Sequence, residues 1–405
     1  MIYTITIVGG GAAGFFAANL LLETLPEAKI LIIEKSSKIL QKVKISGGGR
    51  CNVTHHCFNP TEFSINYPRG AKFLKNSLRT FGAAEMIEWL KEHDVPTKIE
   101  SDGRMFPSSN SSQTIVDCFS NVLKSTRVKL LTGQNFKKFE TEKDNYTIET
   151  EKDKFKSKYI IIATGSSPNV WKYLKSKDLK IVSPVPSLFT FVLANHPLKG
   201  LEGISLENVS IKVIGKKLVN SGPWLITHQG ISGPAVLKLS AFGARELSEL
   251  NYQFQILINL TGLEKVEAVI EKLKEYLSSA KLIVNTPLFN ISKRLWKRLV
   301  ERAEIDQNKP WNELGKKGLN KLVEEIYQGT YHVIGKNTFK DEFVTAGGVD
   351  LSEINKKTAE LIKHPRVYLA GECLNIDGVT GGFNFQAAWT TAYLVTQGIL
   401  GKEDL

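Results

Sequence analysis

The feature that most constrains this chain is a glycine run set between a buried strand and a helix near its start. Residues 4–8, Thr-Ile-Thr-Ile-Val, are a β-branched run of the kind that forms a strand covered on both faces. Gly9-Gly10-Gly11-Ala12-Ala13-Gly14 follows at once, and residues 12–25 continue as an apolar helix. A second apolar strand, 30–34, ends in Glu34. Strand, crossover helix and strand within about 30 residues make a βαβ unit and hence a parallel sheet. In such a unit Gly9 permits the tight turn, Gly11 lets backbone approach a pyrophosphate, and Gly14 lets helix and strand pack closely. The N–H groups at Ala12 and Ala13 and the positive end of the helix dipole face the phosphates. Glu34, 20 residues past Gly14, is placed to accept ribose hydroxyls of an adenosine, with Lys35 beside it. The glycines alone are a weak signal. In register with both strands and the acid, they specify an α/β dinucleotide site.

The far end of the chain says which dinucleotide. Val367-Tyr368-Leu369-Ala370-Gly371-Glu372 reads as a strand ending in glycine and a carboxylate that can bind a ribityl hydroxyl. Asp377-Gly378 and then Gly381-Gly382-Phe383-Asn384-Phe385-Gln386 lead into a last helix, about 384–398. Two small residues ahead of a helix let its exposed N–H groups touch a flat ring. That dipole end suits the negative charge on the N1/C2 carbonyl edge of a reduced flavin. A simple NAD dehydrogenase has no need of a second nucleotide contact so remote from the first. The cofactor is therefore expected to be FAD, held non-covalently. No second Gly-x-Gly-x-x-Gly between strand and helix follows residue 150, so NAD(P)H is expected only as a transient electron donor.

Two further motifs point to the same cofactor. Lys44-Ile45-Ser46-Gly47-Gly48-Gly49-Arg50-Cys51-Asn52 reads as a backbone nest flanked by cations, able to wrap an anion. Cys51 and Asn52 then fall near the flavin, where a structural Cys51 is favoured over a catalytic one. Ala163-Thr164-Gly165 closes a buried strand, 159–163, as strand-exit turns near FAD do. Cys51, His55, His56 and Cys57 invite a zinc reading, but no second Cys/His cluster stands at finger spacing, and no metal is expected. His228 lies in a glycine-rich loop that lines a substrate cleft or is simply a turn. Ser232 is not in a Gly-x-Ser-x-Gly elbow, so a hydrolase triad has little support. No catalytic acid or base can be named.

Texture along the chain gives the domains. Residues 71–93 have helical spacing and 128–150 alternate like a β-meander. From 188 to 262 short strands (188–193, 209–214, 253–260) are divided by Gly, Pro and Asn, and 264–328 is helical again. The expected organisation is a first part of the cofactor domain at 1–187 and an inserted β-rich domain at 188–262. A helical insertion at 263–330, a return strand at 331–343 and a second part of the cofactor domain at 344–405 follow.

Composition bears on partners. The net charge of +12 raises nucleic acid or an anionic membrane face, but Lys and Arg are spread along the chain, with local clusters at 35–50 and 293–302. A solvated basic surface is the favoured reading and a nucleic-acid partner is not expected. No long apolar run suggests a membrane span, and no basic leader precedes the first strand. Four scattered cysteines without a Cys-x-x-Cys pair fit a reducing cytoplasm. A small-molecule substrate is expected, and the oligomeric state is not legible.

These motifs resemble one family, the aminoacetone oxidase-like flavoproteins, which include a flavoprotein linked to bile-acid metabolism. The resemblance spans essentially the whole chain. It rests on residues 7–14, 46–54, Gly103-Arg104-Met105-Phe106-Pro107, 227–234, Val344-Thr345-Ala346-Gly347-Gly348-Val349 and 370–386. It implies an α/β Rossmann-type FAD-binding domain split by a β-barrel-like domain that carries a small helical insertion. It also implies FAD contacts at residues 9–14, Glu34, Lys44, 50–52, Glu372 and 381–386. Phe383 stands where the family often has Tyr, and His55 where Asn is common. The reading is an oxidoreductase moving hydride between substrate and flavin N5. Its rivals are a flavoenzyme acting on RNA and a non-enzymatic flavin redox sensor.

Overall fold

The computed structural model describes residues 2–337 and 344–403; positions 338–343 of the expected return segment lie outside the described residues. The chain divides into two compact units, Met1–Val185 with Lys340–Leu405, and Pro186–Phe339.

The first unit is built on a seven-stranded sheet. Across it run Val128–Leu131, Ile30–Ile33, Ile2–Val8, Lys154–Ile162, Asn145–Thr150 and Phe136–Glu142, and Val367–Leu369 also pairs with Lys154–Ile162. The four pairings that join Val128–Leu131, Ile30–Ile33, Ile2–Val8, Lys154–Ile162 and Val367–Leu369 are all parallel. Ile5, Ile7, Ile30, Leu31 and Ile32 are buried, as a sheet covered on both faces demands. The helices Ala12–Thr24 and Phe383–Glu403 pack together, with Phe16 edge-on to Trp389 at 5.4 Å between centroids. Register sets the functional edge. Val8 pairs with both Ile33 and Ile162, and Leu369 pairs with Ile162. The segments that leave these strands, at Gly9, Glu34, Ala163 and Ala370, therefore emerge at one end of the sheet. Ligands of open α/β sheets bind at this carboxyl end.

One sequence reading needs correction here, and a second gains detail. The expected meander over 128–150 is a hairpin, Phe136–Glu142 with Asn145–Thr150, while Val128–Leu131 runs parallel to Ile30–Ile33 on the other side of the sheet. Alternation marks a strand but does not choose its partner. The helical spacing over 71–93 is two helices, Ala71–Ser77 and Ala83–Glu92. They part at Gly82, where a Cβ would lie 2.7 Å from the Leu78 carbonyl oxygen. The Gly82 N–H is donated to Glu85, 2.8 Å away, which starts the second helix.

The second unit is a closed six-stranded barrel in the order Thr190–Leu193, Gly230–Ser232, Val219–Ile226, Ser205–Val213, Phe254–Asn259 and Gly329–Asn337. Its neighbours are antiparallel, and closure leaves no sheet edge to protect. Helices Val266–Lys274, Lys293–Arg302 and Lys316–Gln328 lie in the chain between its last two strands. Their apolar faces, with Leu273, Trp296, Leu299 and Leu322, join the barrel's own core. Helices Pro234–Phe242 and Ala244–Glu249 went unread in the sequence because Gly233 and Pro234 look like a turn. Pro at the first helical position in fact starts the helix. The α/β class, with a Rossmann-type sheet and a β-barrel bearing helices, is the fold observed. Among the described residues, no helix is long and apolar enough to cross a membrane.

Candidate cofactor site

The glycine turn shows why each of its residues is small. A Cβ on Gly14 would stand 2.1 Å from the Gly9 carbonyl oxygen, and one on Gly9 would stand 2.3 Å from that of Ala163. Those two glycines are required by the protein itself. A Cβ on Gly11 would meet no protein atom within 4 Å, so the fold alone does not require glycine there. Gly11 faces open space, as a turn that admits a ligand would. It is the N-cap of Ala12–Thr24 and makes no side-chain capping bond, which leaves the helix end to a ligand. This turn fits a dinucleotide.

Glu34 locks the turn. One carboxylate oxygen accepts the Gly10 N–H at 2.7 Å, and the other accepts the N–H and hydroxyl of Ser36 at 2.8 and 2.9 Å. Lys35 is exposed. The Ala163–Thr164–Gly165 turn lies against Gly9, and the buried Thr164 hydroxyl has no protein partner. Gly371 packs on the first helix, since a Cβ there would approach that of Ala13 to 3.1 Å. Glu372 accepts the Thr345 N–H at 3.1 Å and pairs with Lys42 at 2.6 Å. The structure thus brings the first glycine motif, the strand-exit turn and the 371–372 motif together.

The expected nest is a broken helix, Gln41–Gly49, in which Ser46, Gly47 and Gly48 leave helical geometry. Gly47, Gly48 and Gly49 all have positive φ (57°, 67° and 80°), and Cβ atoms at Gly48 and Gly49 would face open space. Lys44 is exposed, and its carbonyl accepts the Ser112 hydroxyl. The Ser46 hydroxyl donates to the Val43 carbonyl at 2.9 Å. Arg50 lies over the Phe106 ring, 4.1 Å from its centroid, and pairs with Glu100, which Arg104 also reaches. Cys51 is buried, and burial pushes its thiol up to about 12, a protonated state that favours the structural reading. The buried Asn52 side-chain oxygen has no protein partner.

At the start of the last helix, Phe383–Glu403, Gly381 and Gly382 have φ of 126° and 90°. A Cβ on Gly382 would lie 2.4 Å from the Thr54 carbonyl oxygen, so only glycine lets this turn rest on the strand Thr54–His55. The first bond of the helical ladder runs from the Gln386 N–H to the Gly382 carbonyl, and the N–H groups of residues 383–385 stand ahead of it. Asn384 closes the preceding loop: it accepts the Gly378 N–H at 2.8 Å and donates to the Gly378 carbonyl at 2.9 Å. The Gln386 side chain is buried between Thr54 and Thr390. Phe383 is buried, stacked on His55 at 4.8 Å, and its carbonyl accepts the Tyr67 hydroxyl at 2.6 Å. Asp377 is buried and paired with Arg69. Lys42, Tyr67 and Arg69 were missed in the sequence because none of them lies in a glycine motif. His228 is exposed in the hairpin between two barrel strands. Among the described residues no group of side chains could hold a metal ion.

Fold and site together define an FAD-dependent oxidoreductase on a Rossmann-type domain. Residues 3–398 match the family described as HI0933-like protein Rossmann domain, and the chain belongs to that family. It is 27% identical to the 3-dehydro-bile acid delta(4,6)-reductase of Clostridium scindens, over 96% of this chain and 97% of the relative. It is 29% identical to the ribosomal RNA dihydrouridine synthase of Haemophilus influenzae, over 96% of each. Among solved structures, the 3-ketosteroid delta1-dehydrogenase of Sterolibacterium denitrificans shares the fold, with a TM-score of 0.52 and 10% identity over 99% of this chain and 100% of that one.

Proposed function

We propose that this protein is a reductase that adds hydride and a proton across a ring double bond conjugated to a carbonyl. The observation that carries the cofactor half of this reading is Gly11, whose missing side chain leaves open space at an uncapped helix end. The reaction half draws on the two relatives. One is named as a 3-dehydro-bile acid delta(4,6)-reductase and the other as a ribosomal RNA dihydrouridine synthase, and reduction of a ring double bond is the chemistry we take from both names. FAD, when bound, supplies hydride transfer at flavin N5. In this reading the N–H groups at Ala12 and Ala13 bind the pyrophosphate and Glu34 the adenosine ribose. Thr164, Asn52 and Glu372 take polar atoms along the middle of the cofactor, and the N–H groups at 383–385 take the flavin's carbonyl edge. Asn384 and Asp377 hold the loop that sets this helix end in place. NAD(P)H serves as a transient donor.

A small planar ketone is the first substrate class. Uridine in RNA is the second, favoured by the net charge of +12 and by the RNA-modifying relative. The test is direct. Photoreduced protein is mixed without oxygen with a 3-oxo-4-ene steroid or with unmodified ribosomal RNA. Flavin reoxidation, together with a product heavier by two hydrogens, identifies the substrate. If neither reoxidises the flavin, the reductase reading falls and the redox-sensor alternative takes its place.

A further inference from the structure

We propose that Thr345 is a cofactor-binding residue whose hydroxyl takes a ribityl hydroxyl of bound FAD beside Glu372. This rests on reading the strand-end crevice as the FAD site, and it gives a role to residues 344–349, which that reading leaves unused. Thr345 is 3% exposed, and its buried hydroxyl has no hydrogen-bond partner among the described residues. Its own N–H is donated to Oε1 of Glu372 at 3.1 Å, so the hydroxyl lies no farther from that carboxylate than the breadth of one residue. The other carboxylate oxygen, Oε2, would be 3.6 Å from a Cβ on Gly165. The residue before Gly165 is Thr164, whose buried hydroxyl is also without a partner among the described residues. Two unpartnered hydroxyls thus stand beside Glu372, one toward each of its oxygens.

Backbone packing sets the place of the Thr345 hydroxyl. Gly347 and Gly348, at φ of 141° and 124°, let the strand Val344–Val349 lie tight against its neighbours. A Cβ on Gly347 would stand 2.7 Å from the Cα of Pro184, and one on Gly348 would stand 2.6 Å from the Cys373 carbonyl oxygen. Ala346 and Val349 on the same strand are wholly buried, and a valine at 345 would suit such surroundings with no polar atom to satisfy. A buried hydroxyl left unpaired costs free energy, so its presence calls for a partner that the ligand brings. The chemistry of the set says which partner. A carboxylate only accepts, and Glu372 uses Oε1 for the Thr345 N–H and Oε2 for Lys42, which leaves lone pairs on both oxygens. Hydroxyls both donate and accept. A carboxylate between two hydroxyls repels a phosphate and suits a neutral polyol, which the ribityl chain is and the pyrophosphate is not.

The test uses Thr345→Val, which removes the hydroxyl and keeps the shape, and Thr345→Ser, which keeps the hydroxyl. Melting is measured on deflavinated protein, and FAD and ADP affinities on the same samples by calorimetry. Thr345→Val apoprotein should melt at or above the wild-type temperature, because an unpartnered buried hydroxyl is lost. It should bind FAD roughly tenfold more weakly and ADP as the wild type does, with Thr345→Ser recovering most of the loss. Unchanged FAD affinity in Thr345→Val overturns the assignment, and a lower melting temperature alongside it gives the hydroxyl a structural role instead. An equal loss for ADP also overturns it, since the hydroxyl would then touch the adenosine half. FAD analogues that each lack one ribityl hydroxyl give a check on wild-type protein. At least one should bind the wild type roughly tenfold more weakly than FAD and lose far less in Thr345→Val. If every analogue binds the wild type as FAD does, the assignment falls. Wild-type protein that fails to bind FAD at all would instead overturn the cofactor reading on which the proposal rests.

Discussion

Arg69 and Asp377, 308 residues apart in sequence, form a two-pronged ion pair: Nε of Arg69 lies 2.6 Å from Oδ1 of Asp377, and Nη2 reaches Oδ2. The Asp377 side chain is wholly buried and that of Arg69 is 13% exposed. Alongside them, the Val379 N–H is donated to the Asn66 carbonyl at 2.9 Å. The loop entering the last helix therefore hangs on the segment around residues 66–70.

Removing one partner of this pair takes both prongs of the ion pair from the other. Arg69→Met leaves the Asp377 carboxylate buried opposite a thioether and should cost about 3–5 kcal/mol of folding free energy. Arg69→Met combined with Asp377→Leu should recover most of that loss, because neither buried charge remains. Urea unfolding of the three variants measures both figures. A double variant no more stable than Arg69→Met would show that the loss comes from packing, not from the lost ion pair.

The glycine motif yields opposite outcomes at two of its positions. Gly14→Ala forces a Cβ to within 2.1 Å of the Gly9 carbonyl oxygen, so the apoprotein itself should melt at a lower temperature. Gly11→Val meets no protein atom and has an extended backbone that valine adopts freely (φ −96°, ψ −165°). Its apoprotein should melt as the wild type does, yet purify without flavin. Wild-type protein should release FAD, not FMN, on heating. Flavin retained by Gly11→Val would remove the pyrophosphate from this turn.

Cysteine labelling checks the burial of the glycine segment. Burial pushes the thiols of both Cys51 and Cys373 up to about 12, and both side chains are fully buried. Near pH 8 neither offers thiolate or access. Iodoacetamide should leave both unmodified in native protein while reaching the partly exposed Cys57, and should label all of them in urea. Peptide mass spectrometry gives the answer, and rapid native labelling at Cys51 would revive it as a reactive thiol.

What was legible in the sequence was what glycine dictates. Gly9, Gly14 and Gly382 each lie against a backbone carbonyl that admits no side chain, so the chain had to write those contacts as glycine. Glu34 and Glu372 were readable because they follow strands by fixed offsets. Lys42 and Arg69 were not. They act through partners 330 and 308 residues away, and no local pattern encodes a contact made only by folding. Arg104 was noticed as part of a motif, but its place beside Arg50 on Glu100 came only from the antiparallel pairing of Thr54–His55 with Arg104–Pro107. The strand partner of Val128–Leu131 was hidden for the same reason.

His55 supplies a pH test of the helix start. Its Nδ1 lies 3.1 Å from the Gly381 carbonyl, and its ring stacks on Phe383. Burial holds its pKa below the ordinary histidine value; the Gly381 carbonyl and Asp102 oppose that shift, while His56 and Arg104 add to it. A folded-state pKa below the unfolded one means the unfolded chain binds more protons as pH falls through the histidine range. His55 therefore costs stability on the acid side and nothing well above its unfolded pKa. His55→Asn keeps a donor for the Gly381 carbonyl and cannot titrate. Measured from about pH 7.5 down to about pH 5, the wild type should lose stability faster than this variant. His364, also held low by burial, is common to both proteins and cancels. Parallel stability profiles would mean that the imidazole accepts its proton as readily in the fold as in water, and that its hold on Gly381 is not what burial implies.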